Sequence, residues 1–157
     1  MLNRPIEAFV VDVLIFIQKI KRATVSYKTF EDLLIDSADL FDGTMHNLEL
    51  MGEALKHILN DQNVTQHINP EWRVIVDFRN VIAHHYFGVE FEEIYRVLTI
   101  DVPIFEQEFM RFVEKIRHTP AFKEVIAAAK TELAVRKKAY LLEYLEKLQR
   151  ECQSLNS

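Results

Sequence analysis

ADLFDGTMHNLELMGEALKHIL, residues 38–59, carries the most regular pattern in the chain. Its apolar or small positions, Ala38, Phe41, Met45, Leu48, Gly52, Leu55 and Leu59, follow one another by alternate steps of three and four, the seam of a helix packed in a bundle. A strand would instead alternate every second residue. Gly52 lies within the seam. Glycine there lowers helix stability by about 0.8–1 kcal/mol relative to alanine, and its usual role is to admit a second backbone at close range.

The same spacing extends in both directions. Upstream, Pro5 opens a first helix that sets Ile6, Phe9, Val10, Val13, Ile17 and Ile20 on one face and closes on Lys19, Lys21 and Arg22. A connection around residues 27–29 leads to a short helical turn over residues 30–35, for which Thr29 is the cap with Asp32 three positions on. Downstream, the polar stretch 60–69 reads as a loop. Asn69 and Pro70 then read as the cap and first residue of a third helix through Trp72, Ile75, Val76 and Ile82, stopped at Gly88. A fourth helix runs from Phe91 to Ile116, and Pro103 kinks it or splits it in two. Thr119 and Pro120 restart the chain as one helix reaching about Cys152. With seven Lys or Arg and five Asp or Glu, residues 120–152 are +2 and the remainder −7. Arg136, Lys137 and Lys138 form the densest basic spot, readable either as a solvated helix face or as a contact for RNA or a partner.

Composition agrees with an all-α protein that buries a core of its own. The 157 residues are 49% hydrophobic and 27% charged, with only 3 Gly and 4 Pro, which excludes disordered and collagen-like classes. A net charge of −5 argues against a protein held to nucleic acid by bulk charge and leaves room for a local basic site. Cys152, alone, excludes an intrachain disulfide and a cysteine zinc site. The most apolar stretch, residues 6–17, is interrupted by Glu7 and Asp12 and falls short of the roughly 20 residues that span a bilayer. No signal-peptide pattern follows it, so a cytoplasmic protein without a membrane partner is expected.

His46, His57, His67 and His118 lie apart with no paired ligand spacing, so no metal site is expected. Phosphate-binding glycine loops and nucleophile elbows are absent from the sequence. What stands apart is FRNVIAHHYF, residues 78–87, where a guanidinium, an amide, two imidazoles and a phenol crowd one helix end. A structural reading pairs Arg79 with Asp77 or Glu71, lets the imidazoles favour the negative helix end, and makes Tyr86 a core edge. A chemical reading combines a permanent bidentate phosphate clamp, Arg79, with a group that titrates near neutral pH, His84. At about 100° per residue, Arg79 and Tyr86 share a face, whereas Arg79 and His84 are about 140° apart. Acting on one phosphate therefore requires either a π-type widening of the helix or a composite site in which one chain's Arg79 serves another chain's His84.

Arg79, His84 and Tyr86, in the spacing Arg-x4-His-x-Tyr with Asn80 after the Arg, resemble the signature of the HEPN domains, and particularly of the HepT-like toxins. Gly52-Glu53-Ala54, Trp72 after Pro70, and the acidic, aromatic start of the next helix extend the resemblance over about residues 1–116. The resemblance implies an antiparallel HEPN-type helical bundle over residues 1–118, with a C-terminal helical extension over 119–157, assembled as a dimer or higher oligomer. It also implies the toxin of a type VII-like toxin–antitoxin system, a metal-independent endoribonuclease that needs no cofactor. Catalysis would fall to Arg79 and His84, phosphate orientation to Asn80, and an accessory role to His85. The implied partners are RNA and a minimal nucleotidyltransferase antitoxin of the MntA type that silences the toxin by placing AMP on Tyr86. Residues 120–157 lie outside the resemblance and read as a dimer-stabilising helix, an antitoxin-binding arm or a simple extension. The competing reading is a non-catalytic nucleotide-binding or regulatory subunit of a nucleotidyltransferase.

Overall fold

The computed structural model describes residues 3–36, 38–62, 72–85 and 90–154, without the side chains of 38–39 and 80–85. Among them the secondary structure is helical throughout: α1 (Ile6–Thr24), α2 (Phe30–Leu34), α3 (Ala38–Leu59), α4 (Arg73–His85), α5 (Phe91–Arg96), a π-helical turn (Val97–Asp101), α6 (Val102–Ile116), α7 (Pro120–Val135) and α8 (Ala139–Ser154). This is the all-α class expected from the sequence. The loop after residue 62, the cap expected at Asn69 and Pro70, and the stop at Gly88 fall outside the described residues.

The central element is α1. Val10, Val11, Val13, Leu14, Ile17 and Ile20 are all buried, covering more of the helix circumference than the one face expected. Pro5 precedes the helix as its cap, in extended conformation, one position earlier than the role read from sequence. α3 runs antiparallel to α1: Phe9 stacks on His57, while Lys19 and Arg22 lie opposite Gly43 and Asn47. The seam of α3 is buried as its spacing predicts, with Met45, Leu48, Gly52 and Leu55 packed inward. α2 has the expected capping box, in which the Thr29 hydroxyl accepts from the Asp32 N–H and the Asp32 carboxylate accepts from the Thr29 N–H.

Trp72, at the entry to α4, sits edge-on among Phe105, Phe109 and Phe112 of α6, at 5.3–5.8 Å between ring centroids, and donates from its indole N–H to Glu108 at 3.3 Å. Such aromatic clusters favour tilted over face-to-face pairs and anchor one helix on another. Pro103 divides the long helix, as expected, but through a wide turn. Pro103 has no N–H to donate and its ring crowds the carbonyl four residues back. The five-residue π turn just before it relieves that crowding, closing with the Val102 N–H on the Val97 carbonyl, and the Thr99 hydroxyl donates to the Tyr95 carbonyl at 2.6 Å.

The single C-terminal helix expected after Thr119 is instead a hairpin. Thr119 caps α7 by accepting from the Phe122 N–H, and the chain breaks at Arg136–Lys138 before α8. There the Lys138 N–H donates to the Leu133 carbonyl and the Lys137 N–H to the Ala134 carbonyl, with Lys137 at φ 55°, a Schellman cap in which lysine occupies the place usually taken by glycine. Phe122, Ile126 and Leu133 of α7 and Leu141, Leu145, Leu148 and Cys152 of α8 then enter the same core as α1 and α3. The Cys152 thiol, near the end of α8, is buried, and burial pushes its pKa up.

Candidate functional site

The site grows from the contact of α3 with α4. A Cβ placed on Gly52 would lie 2.5 Å from the Arg79 Cβ and 2.9 Å from its Cγ, with the Ile75 carbonyl oxygen at 3.4 Å. Only a residue without a side chain lets α4 settle this closely, which is the close approach anticipated for the seam glycine. The stem of Arg79 thus lies against α3, and its Nη2 reaches the Glu53 Oε2 at 2.6 Å. A carboxylate set on Arg79 thus comes from a neighbouring helix; of the two partners offered by sequence reading, Asp77 is exposed and Glu71 lies outside the described residues.

Arg79 keeps 22% of its side-chain exposure and Glu53 keeps 41%, so water screens the pair and its stabilising effect stays below about 1 kcal/mol. Its main physical effect is to orient a permanently charged fork. The other Glu53 oxygen lies 3.8 Å from the His57 Nε2, and the His57 imidazole is stacked on Phe9 at 4.4 Å with 14° between the planes. Glu53 is the residue the sequence reading quoted without giving it a role. The available signal was its position beside the one glycine of the buried seam, where a second helix must close.

α4 is α-helical from Arg73 to His85, so no widening separates Arg79 from His84. The π turn among the described residues lies elsewhere, at Val97–Asp101. On a regular helix, position 84 is in register with Asp77 and Arg73, both exposed, and about 140° from Arg79. Positions 80, 84 and 85 belong to the described backbone, and their side chains lie outside the described set, as does all of Tyr86. Among the described residues no three His, Cys, Asp or Glu side chains form a group suited to a metal ion, and no helix is long and apolar enough to cross a membrane.

Comparison with known proteins identifies the architecture. The family described as Ribonuclease HepT-like matches residues 13–116, the stretch that holds the α3–α4 contact. A protein of Thermococcus cleftensis named "Probable ribonuclease HepT" is 34% identical over 90 residues, covering 56% of this chain and 74% of its own. Two proteins of Methanocaldococcus jannaschii, named "Putative RNase MJ1380" and "Putative RNase MJ0127", are 28% and 27% identical over 110 and 114 residues, covering 69% and 73% of this chain and 96% and 92% of their own. No solved structure matches the chain. A match of this extent, over a bundle with a seated motif arginine, means that the chain belongs to the HepT-like ribonuclease family.

Proposed function

We propose that the protein is a metal-independent endoribonuclease that acts through Arg79 and His84. The observation that carries this reading is the seating of Arg79. A guanidinium held by Glu53 and by the missing side chain of Gly52 keeps one edge fixed while it remains partly open to solvent. Such a fork suits the developing charge of a phosphate under attack. The ribose 2′-hydroxyl attacks the adjacent phosphorus, a new P–O bond forms, and the bond to the 5′-oxygen of the next nucleotide breaks. His84 takes the hydroxyl proton or returns one to the leaving oxygen, and Asn80 orients the phosphate. The fragment upstream of the cut ends in a 2′,3′-cyclic phosphate.

Because Arg79 and position 84 lie on different sides of a regular α4, the arrangement favours a composite site in a dimer, with each chain supplying one of the two groups. His85 is an accessory candidate for proton transfer. In the toxin reading, a nucleotidyltransferase antitoxin places AMP on Tyr86, adding charge and bulk at the motif and repelling the RNA backbone.

The test is incubation of the full chain with total RNA in excess EDTA, beside His84→Ala and Arg79→Ala. Wild type should leave cyclic phosphate ends, and His84→Ala should lose about 10²- to 10⁴-fold in rate. Nucleotide binding with no cleavage by unmodified protein would overturn the assignment in favour of a regulatory subunit.

A further inference from the structure

A groove of about 440 Å³ lies between the end of α1, the start of α3 and the α7–α8 turn. Lys19, Arg22 and Lys138 line it, with Ser26 and Asn47, and none of its described lining residues is acidic. That is unusual on a chain of net charge −5. Lys21, one position from Arg22, faces α6 and is paired with Glu106 at 2.9 Å. Asp12 and Glu132, on the adjoining surface, are held by Arg4 at 2.7 Å and Arg136 at 3.6 Å. Gly43 lines the groove as well, and a Cβ there would meet nothing within 4 Å.

We propose that this groove is a second phosphate-binding site, which holds the backbone of the RNA strand away from the cleavage point; the proposal rests on the ribonuclease reading above. Three cations with no described carboxylate among them repel one another, and an anion relieves that repulsion. The Lys19 pKa is lowered, first by burial and then by Arg136 and Lys138, with Asp12 acting in the opposite direction. Lys138 reaches the groove because the chain breaks just before it, at the left-handed Lys137. Backbone recognition is favoured over capture of a free nucleotide because the aromatic face present is taken: the Arg22 guanidinium covers the Tyr140 ring at 4.1 Å. Lys19 stands ten residues along α1 from Phe9, which stacks on His57 beside the Glu53–Arg79 pair, a separation of about 15 Å along the helix. A short single strand can bridge the two places.

The experiment measures binding of a fluorescent 2′-O-methyl RNA oligonucleotide, which lacks the attacking hydroxyl, to the full chain across a salt series. The variants are Lys19→Gln/Arg22→Gln/Lys138→Gln and Gly43→Glu, the second at a position where any side chain favours the helix, and circular dichroism verifies that both fold. Loss of three contacts should make the log–log salt dependence shallower by about 2, at ~0.7 per phosphate on a single strand, so between about 50 and 200 mM salt wild type should lose roughly twenty-fold more affinity than the triple variant. Gly43→Glu should weaken binding in the same direction. Unchanged affinity and slope in both folded variants would overturn the proposal, as would a groove whose variants lose AMP binding and keep RNA binding. Cleavage of unmodified RNA separates the two readings: a chain that cuts RNA with groove-independent binding removes the groove alone, and groove-dependent binding with no cutting removes the ribonuclease alone.

Discussion

Gly43 and Gly52 sit on the same helix and face opposite conditions. A side chain at Gly52 would run into Arg79, whereas one at Gly43 would meet open space. The first glycine seats a single cation against a carboxylate. The second leaves a groove open beside three cations that no described lining carboxylate neutralises. A paired arginine gains direction and loses reach, while unpaired cations gain long-range attraction for a polyanion and lose direction. A nuclease needs both, one at the bond that breaks and the other along the strand that must be held.

The largest effect is expected on activity at the α3–α4 contact. Glu53→Gln keeps the shape and removes the charge that aims Arg79, so cleavage should fall by up to ~10²-fold. Folding stability should change by less than about 1 kcal/mol, because both side chains retain contact with water. Rate measurements beside thermal melts decide the matter: an activity loss no greater than the unfolded fraction would make the pair purely structural. Next comes Gly52→Ala. Its gain in helix propensity of about 0.5–1 kcal/mol is outweighed by an overpacking penalty of about 1–3 kcal/mol, since the atom in the way is the Arg79 Cβ rather than a mobile tip. The melting temperature should drop by several degrees, and an unchanged value would mean that α4 can shift outward freely.

Gly43→Ala has the opposite sign. With nothing to displace, the substitution should raise stability by about 0.5–1 kcal/mol in denaturant unfolding, and a loss there would break the contrast between the two glycines. A gain of similar size belongs to Lys137→Gly. Release of the left-handed strain, about 1–2 kcal/mol, is about half offset by the added freedom of glycine in the unfolded chain, about 0.4–1 kcal/mol, so a gain of about 0.5–1 kcal/mol is expected from the same unfolding curves.

The hairpin shows where reading the residues in order stops working. The apolar stripe of Phe122, Ile126, Ala129 and Leu133 continues at the same spacing into Leu141, Leu145, Leu148 and Cys152, so no change of period marks the turn. The position between Leu133 and Leu141 that would continue the stripe is Lys137, and the chain turns there. A glycine would have announced the cap, whereas a lysine in left-handed conformation gives little warning. Thr29 and Pro103 were easier, because a capping box closes within three residues and a missing N–H acts on its own helix.

By itself the sequence determined the helical class, the buried seam of α3, the cap at Thr29, the division near Pro103 and the resemblance now matched by the family. Each depends on period or on groups within a turn of one another. The tertiary structure alone decided that Arg79 meets Glu53, that α7 and α8 fold back into the common core, and that Lys19, Arg22 and Lys138 share one groove. These outcomes join residues far apart in the chain. They follow from which helices bury their apolar faces together, and that packing brings a charge from one helix beside a charge from another.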